Sequence, residues 1–199
     1  MSIRNWHWLA TAAIALLATS AAIPALAQED MDKVQIETIA VRDGLHMLVG
    51  SGGNVGVFSG SDGVIVIDDQ YAPLSGKLLA AIKAISDKPL RFLIDTHWHM
   101  DHTGGNANFA AAGALLVAQD NVRTRLAAGQ FMKFMQRQVE PAVPAALPTI
   151  SFNQAMNFYL NGQDVHVLHV PHAHTDGDSV IHFPGLNAFH LGDVYFAHM

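Results

Sequence analysis

The hydrophobic pattern of residues 34–94 predicts a series of short strands interrupted by one helix. Alternating or continuous apolar runs are separated by turn residues such as Asp43-Gly44, which is typical of antiparallel hairpins. Apolar residues within 74–85 recur at a helical spacing and predict the helix. The predicted strands are 34–41, 44–49, 54–59, 63–67 and 90–94.

The second half of the chain alternates helical and strand patterns before a proline-rich loop. We expect a short helix over 106–112, a strand over 114–118 and a longer helix over 120–138, with Asp120 or Asn121 as its N-cap. Three prolines then enforce a loop. Later strands are predicted at 149–152, 156–160, 165–170 and 188–193.

An apolar segment at 131–135 stands out within the longer predicted helix. It could line a substrate pocket or a lid, whereas apolar residues at helical spacing more often pack in a core. The pattern leaves both interpretations open.

The first 27 residues have the features of a secretory signal peptide. Arg4 supplies positive charge, an uncharged run rich in alanine and leucine covers 9–23, and Ala-Leu-Ala at 25–27 offers a cleavage site. A retained membrane anchor is the weaker alternative, because a span needs about 20 strongly apolar residues. We therefore expect a signal peptide at 1–27 and one domain over 28–199, periplasmic or secreted, with no stable membrane span after cleavage.

Composition restricts the partners and the metal chemistry. The formal net charge of −6 argues against a nucleic-acid partner and leaves a small-molecule substrate as the expected ligand. The chain has no cysteine, so it has no disulfide, and any bound metal must be held by histidine and carboxylate. The sequence gives no indication of an oligomeric state.

Residues 97–102 read His-Trp-His-Met-Asp-His, which places four potential metal ligands directly after a predicted strand. Side chains alternate along extended backbone, so His97 and His99 point the same way, while Asp101 and His102 lie on the turn beyond. Imidazole with carboxylate suits zinc or another first-row divalent ion. We favour one metal on the imidazole pair and a second on the Asp-His pair over a histidine-rich surface loop.

Two further strand ends carry potential ligands. The strand 165–170 leads into a turn with His172 and His174, and the strand 188–193 ends on Asp193. Three such strand ends imply loops that converge at one edge of a sheet. Carboxylates that could hydrogen-bond ligand imidazoles, with none preferred, are Asp68, Asp69 and Asp95.

Taken together, these segments resemble the metallo-β-lactamase-fold hydrolase superfamily over most of 34–196. The matching segments, in the family's order, are 96–105, His174-Thr175 and Gly192-Asp193. The resemblance implies an α/β fold, the αββα sandwich, and zinc as the cofactor, with two ions in the complete fold.

The resemblance also implies which side chains bind metal. By resemblance, the ligands are His97, His99 and His174 for the first ion, Asp101 and His102 for the second, and Asp193 as a bridge between them. Asp101 would also orient the attacking water. His174 is preferred over His172 because a threonine follows it, as in the family.

The chain departs from the family pattern in two respects. Without cysteine it cannot resemble the cysteine-bearing lactamase class, and its bridging Asp193 resembles that of the broader hydrolases, which include glyoxalase II-like thioesterases and lactonases. The family's last ligand is a histidine on a late strand, for which this chain offers His190 or His198. We instead expect the C-terminal part of the fold to be missing, which would leave a sheet face uncovered.

The activity that the resemblance implies is metal-dependent hydrolysis. Metal-activated water would cleave a C–N, C–O or C–S acyl bond. β-Lactams are a specific candidate substrate, because export would place the protein in the path of such drugs. The alternatives are a glyoxalase II-like thioesterase or lactonase and a catalytically impaired metal-binding fragment.

Overall fold

A computed structural model describes residues 30–132 and 136–196. The predicted signal peptide and His198 lie outside the described residues. The α-helices are α1 (Ser75–Ile85), α2 (Met100–Thr103), α3 (Asn106–Ala111) and α4 (Asp120–Ala128). The strands are β1 (Glu37–Arg42), β2 (Leu45–Val49), β3 (Val55–Gly60), β4 (Gly63–Ile67), β5 (Leu90–Ile94), β6 (Leu115–Gln119), β7 (Gln130–Met132), β8 (Arg137–Val139), β9 (Ile150–Phe152), β10 (Ala155–Leu160), β11 (Gln163–His169), β12 (Ser179–Phe183) and β13 (Ala188–His190).

A seven-stranded sheet forms the central layer, in the order β1-β2-β3-β4-β5-β6-β9. The strands β1 to β4 pair antiparallel, as their alternating pattern predicts. The strands β4, β5, β6 and β9 are parallel. Parallel neighbours need a crossover connection, which contains α1 between β4 and β5 and α3 between β5 and β6. The carboxyl ends of β4, β5 and β6 therefore share one edge of the sheet.

A second sheet, β10-β11-β12-β13, packs on one face of the first. Aromatic side chains join the two sheets: Phe58 meets Phe183 edge to face at a centroid distance of 5.3 Å, and Phe92 meets Phe158 at 4.9 Å. The helices α1 and α3 cover the other face of the first sheet. Side chains buried between these helices and the sheet include Leu74, Leu78, Ile82 and Phe109.

The outer face of the second sheet carries apolar side chains that no described residue covers. Tyr159, Leu168 and Phe189 are 71%, 38% and 56% exposed, and Phe189 stacks on His182 at a centroid distance of 4.1 Å. Within the described residues, no helix is long and apolar enough to cross a membrane.

The prediction of one long helix over 120–138 is wrong. α4 ends at Ala128, because Gly129 takes φ 70° and ψ 169°, a backbone conformation that suits glycine. The chain then forms the hairpin β7–β8, in which Met132 pairs with Arg137. In the apolar segment 131–135, Phe131 is exposed, and residues 133–135 lie outside the described residues.

Two smaller expectations also need correction. The N-cap of α4 is Gln119, whose side chain accepts a hydrogen bond from the Asn121 backbone N–H; neither Asp120 nor Asn121 occupies that position. The strand that leads toward Asp193 stops at His190. Asp193 itself lies in a 3-10 turn that follows.

Candidate metal centre

The first ligand motif follows β5 at the carboxyl edge of the central sheet. After an irregular stretch, α2 begins where the N–H groups of His102 and Thr103 donate to the carbonyl of His99 at 3.0 and 3.1 Å. This helical turn places the His102 ring beside that of His97, with 4.2 Å between centroids. The segment expected to be a turn is thus one turn of helix.

Four of the predicted ligands form a first group, His97, His99, His174 and Asp193, in which one donor atom from each lies within 4.8 Å of the others. Nε2 of His97 lies 3.1 Å from Nδ1 of His99, and Nε2 of His174 lies 2.9 Å from the same atom. Oδ2 of Asp193 is 3.4 Å from Nε2 of His174 and 3.9 Å from Nε2 of His97. Three separate segments of the chain therefore contribute to one cluster.

Asp101, His102 and Asp193 form a second group within the same distance limit. Nε2 of His102 lies 3.1 Å from Oδ1 of Asp193 and 3.6 Å from Oδ2 of Asp101. The two carboxylate oxygens of Asp193 thus face different groups. All six predicted site residues come together in the structure, and Asp193 lies between the two groups.

The turn that presents Asp193 packs against the segment that carries the first motif. Gly192 takes φ 50°, and a Cβ there would lie 2.7 Å from Oγ1 of Thr96. The backbone N–H of Ser179, at the start of β12, also donates to the carbonyl of Thr96 at 2.8 Å. Thr96 therefore ties the other two ligand-bearing segments to the one that holds His97.

Asp68, at the end of β4, supports this arrangement from the protein interior. Its Oδ1 accepts the backbone N–H of Thr96 at 2.7 Å, and its Oδ2 accepts the Thr96 hydroxyl at 2.8 Å. The same Oδ2 lies 2.8 Å from Nδ1 of His102. A hydrogen bond at Nδ1 leaves Nε2 as the atom that faces the second group.

The imidazoles of His97 and His99 are held in their neutral form. Burial lowers the pKa of His97 far below its usual value, and the nearby rings of His102, His99 and His174 lower it further. Burial and then the charge of His174 likewise lower the pKa of His99. Neutral imidazoles present free lone pairs, which is the form that binds metal.

The pKa of His102 is raised and that of Asp193 is lowered, because the two side chains face each other. Burial alone would lower the pKa of His102, but Asp68, Asp193 and Asp101 raise it to about 11. Burial alone would raise the pKa of Asp193, but the hydrogen bond and charge of His102 keep it below its usual value. His102 and Asp193 therefore stabilise the charged form of each other.

Two more carboxyl groups are buried beside the centre. Burial, followed by the charge of Asp95, raises the pKa of Asp69 well above its usual value. Burial also dominates the raised pKa of Asp95, and Asp68 adds to it. Asp69 accepts the backbone N–H of Gly105 at 2.8 Å, and Asp95 accepts the side-chain amide of Asn106 at 2.9 Å. Neither carboxylate is hydrogen-bonded to a ligand imidazole among the described residues, so Asp68 alone of the three has the expected supporting role.

The loop 170–178, which we call the His174 loop, is fastened to α4. Nη2 of Arg125 lies 2.6 Å from Oδ2 of Asp176, and the side-chain amide of Asn121 donates to the Asp176 carbonyl at 2.7 Å. Arg125 also donates to Oε1 of Gln130 at 3.0 Å, at the start of the β7–β8 hairpin. Arg125 therefore links the His174 loop to the hairpin, a role that no sequence pattern predicts.

The remaining histidines considered from the sequence lie away from both groups. His172 is exposed in the His174 loop with φ 59°. The ring of His190 has Nε2 3.0 Å from the carbonyl of Asn54 and accepts the Gly192 N–H at Nδ1. His190 is thus engaged elsewhere, and it does not replace the late family histidine.

Two cavities open onto the centre. One, of about 560 Å³, is bounded by metal-group residues on one side and by the β7–β8 hairpin on the other; its lining is Tyr71, Trp98, His99, Met100, Asp101, Met132, Arg137, Val139, His174 and Asp193. The other, of about 410 Å³, lies beside the second group and is lined in part by Gly53, His102, Phe189 and Tyr195. Asp101 and Asp193 line both cavities.

The fold is similar to solved metallo-β-lactamase structures. A class B3 di-zinc enzyme from an Alaskan soil metagenome superposes with a TM-score of 0.66 at 21% identity, over 80% of this chain and 61% of that one. A subclass B3 enzyme of Bradyrhizobium japonicum gives a TM-score of 0.63 at 22% identity, over 77% of this chain and 59% of that one. These likenesses confirm the predicted α/β fold class of the metallo-β-lactamase type.

Sequence comparison gives a consistent result. The alpha subunit of 2,4-dinitroanisole O-demethylase of Nocardioides sp. is 24% identical over 139 residues, which is 69% of this chain and 39% of that protein. The chain thus spans well under two thirds of the length of these relatives. The family described as the metallo-beta-lactamase superfamily matches residues 48–198. The chain therefore belongs to the metallo-beta-lactamase superfamily.

Proposed function

We propose that this protein is a metal-dependent hydrolase that binds two divalent ions, zinc in the first instance, and cleaves an acyl bond with activated water. The observation that carries the proposal is the position of Asp193, whose two oxygens face separate groups of histidine and aspartate. His97, His99 and His174 would hold one ion with Asp193, while Asp101, His102 and Asp193 would hold the other.

The donor atoms fit zinc in kind and in spacing. Tetrahedral zinc bonded to nitrogen at about 2.0–2.1 Å keeps neighbouring nitrogens about 3.3 Å apart. The two shortest imidazole contacts of the first group, 2.9 and 3.1 Å, are close to that spacing. Convergence of three imidazole nitrogens and a carboxylate oxygen at this spacing favours a metal over a purely structural cluster.

In the proposed reaction, the protein positions the substrate and orients the attacking water. Bound divalent ions would supply a water with a pKa near neutrality and polarise the carbonyl group. Asp101 lines both cavities and belongs to the second group, so its carboxylate is placed to orient the water. The apolar walls of the larger cavity, including Trp98 and Met100, would exclude bulk solvent from the substrate.

The substrate class is a C–N, C–O or C–S acyl bond, with β-lactams, thioesters and lactones as the first compounds to test. The similarity to B3 metallo-β-lactamases supports the choice of a β-lactam as a test substrate. The similarity to a 2,4-dinitroanisole O-demethylase subunit adds an activated aryl ether to the panel. We also propose a periplasmic or secreted location, supported by the signal-peptide pattern of residues 1–27.

The test is zinc content and turnover measured on the same preparations. Zinc per chain and hydrolysis of a chromogenic cephalosporin, a thioester, a lactone and 2,4-dinitroanisole are measured for the wild type, His97→Ala and Asp101→Ala. We expect His97→Ala to lose zinc from the first group, and Asp101→Ala to lose activity more than first-group zinc. Unchanged zinc content in His97→Ala would refute the ligand assignment.

A second candidate is a catalytically impaired metal-binding protein. It is favoured by the composition of the second group, in which the described residues supply three ligands, Asp101, His102 and Asp193. Full zinc loading of the first group with no turnover of any panel member in the wild type would select this candidate.

A further inference from the structure

The β7–β8 hairpin presents one of its faces to the larger cavity. In an antiparallel pair, residues directly opposite each other share a face, and neighbours along a strand alternate. Met132 lies opposite Arg137, and Gln130 lies opposite Val139. Of these, Met132, Arg137 and Val139 line the cavity. Phe131 and Gln138, which form the intervening pair, belong to the other face.

Arg137 differs in character from the rest of the cavity wall. Among the described residues that line the cavity, it is the one lysine or arginine, in a chain whose net charge is −6. Five neighbours in the lining are aromatic or apolar: Tyr71, Trp98, Met100, Met132 and Val139. An isolated guanidinium at the rim of an apolar cavity recognises an anion more selectively than a basic surface patch does.

The Arg137 guanidinium has no acidic partner among the described residues. The ion pairs of the described chain that involve arginine engage Arg125, and the side chains of Arg42, Arg91 and Arg123 donate to backbone carbonyls. Among the described residues, Arg137 has only its backbone pairing with Met132. No described side chain engages its guanidinium donors, and a planar guanidinium suits a carboxylate in a two-bond arrangement.

We propose that Arg137 is a specificity-determining residue that binds a carboxylate on the substrate. The inference rests on the proposed hydrolase function and deepens it: the substrate is an acyl compound with an apolar or aromatic body in the 560 Å³ cavity. Its scissile carbonyl faces His99, His174 and Asp193, and its carboxylate extends to the hairpin. Neutral esters and lactones of equal size bind less well.

The experiment compares two matched esters that differ in one charge. Mono-4-nitrophenyl glutarate and 4-nitrophenyl pentanoate are hydrolysed by zinc-loaded wild type, Arg137→Gln, Arg137→Lys and Gln138→Ala, with zinc content measured for each. We expect the wild type to prefer the glutarate by about 10-fold or more in kcat/KM, a typical effect of a charged hydrogen bond. Arg137→Gln should lose this preference through KM. Gln138→Ala, on the opposite face, should keep it.

Binding of the corresponding anilides, which are far less reactive, separates failure of this inference from failure of the function. A wild type that cleaves both esters without preference, or a preference that survives Arg137→Gln, overturns the role of Arg137 and leaves the hydrolase intact. If neither ester is cleaved, calorimetric binding of the anionic and neutral anilides decides. Tighter anionic binding that Arg137→Gln abolishes supports the inference, and equal binding overturns it.

Discussion

Asp68 and His102 are joined by a buried contact of 2.8 Å between Oδ2 and Nδ1, which fixes the His102 ring with Nε2 toward Asp101 and Asp193. The partners lie 34 positions apart in sequence. Asp68 directly follows β4, and His102 lies within α2. A buried carboxylate in this position orients the imidazole and makes it a better electron donor. It is the supporting contact on which the second group depends.

Asp68→Asn tests that support. The amide keeps the size of the side chain but removes the charge, so zinc affinity at the second group should fall about 10- to 100-fold, while the first group keeps its zinc. Zinc per chain after dialysis against graded chelator measures both. Asp164→Asn, at an exposed position of β11, is the control. Equal zinc retention in both variants would contradict the expectation.

His174 and His172 form an internal comparison within one loop. His174→Ala removes an imidazole whose Nε2 lies 2.9 Å from Nδ1 of His99. Loss of a residue that only supports a ligand lowers metal affinity by up to roughly 100-fold, so we expect loss of the ligand His174 itself to lower first-group zinc affinity by more. His172→Ala should leave zinc binding unchanged, because His172 belongs to neither group. Loss of zinc in His172→Ala instead would reverse the assignment made from the His-Thr pair.

Gly53 packs directly against the His102 ring. A Cβ on Gly53 would clash with Cε1 of His102, so Gly53→Ala forces the ring to move and should cost about 1–3 kcal/mol, with weaker binding at the second group. Gly76→Ala is the matched control, because nothing lies within 4 Å of its Cβ and alanine favours helix by about 0.5–1 kcal/mol. Urea unfolding distinguishes them. A Gly53→Ala variant as stable as Gly76→Ala would show that the site yields freely.

Arg125→Gln should weaken the attachment of the His174 loop in a pH-dependent way. The Arg125 hydrogen bond and charge hold the pKa of Asp176 below its usual value, so the stabilisation is present above the unfolded pKa of about 3.9 and is lost as pH falls through the lower folded value. The side chains are 42% and 36% exposed, which limits the effect to below about 1 kcal/mol. Urea unfolding from pH 7 to pH 3 follows the difference, which 1 M salt should also reduce. A difference that grows on acidification would be inconsistent with this ion pair.

The sequence predicts the site better than the fold around it. The four closely spaced ligands at 97–102 follow an apolar strand and are visible as a local pattern. The His174 and Asp193 segments resemble family segments and follow in the family's order. The hairpin after Gly129 could not be read in this way, because Phe131 and Met132 continue an apparently helical pattern. A single glycine conformation decides against the helix, and Gly129 packs against Val139 and Pro141, which lie beyond the local helical pattern.

The supporting residues illustrate a second limit. Asp68, Asp69 and Asp95 are equivalent in sequence, since each is an aspartate at a strand end. Only the orientation of each side chain distinguishes them, and it assigns the His102 contact to Asp68. Arg125 and Arg137 likewise acquire their roles from strand register and loop packing, which composition and local pattern do not encode.

The shared position of Asp193 has a thermodynamic consequence. Its Oδ1 lies 3.1 Å from Nε2 of His102, and its Oδ2 lies 3.4 Å from Nε2 of His174. An ion bound to one group would therefore alter the charge and orientation of the carboxylate that the other group uses. Such coupling is reciprocal: by whatever factor the first ion changes the affinity for the second, the second must change the affinity for the first. The total free energy of binding both zinc ions must therefore be the same whether the first group or the second group is filled first.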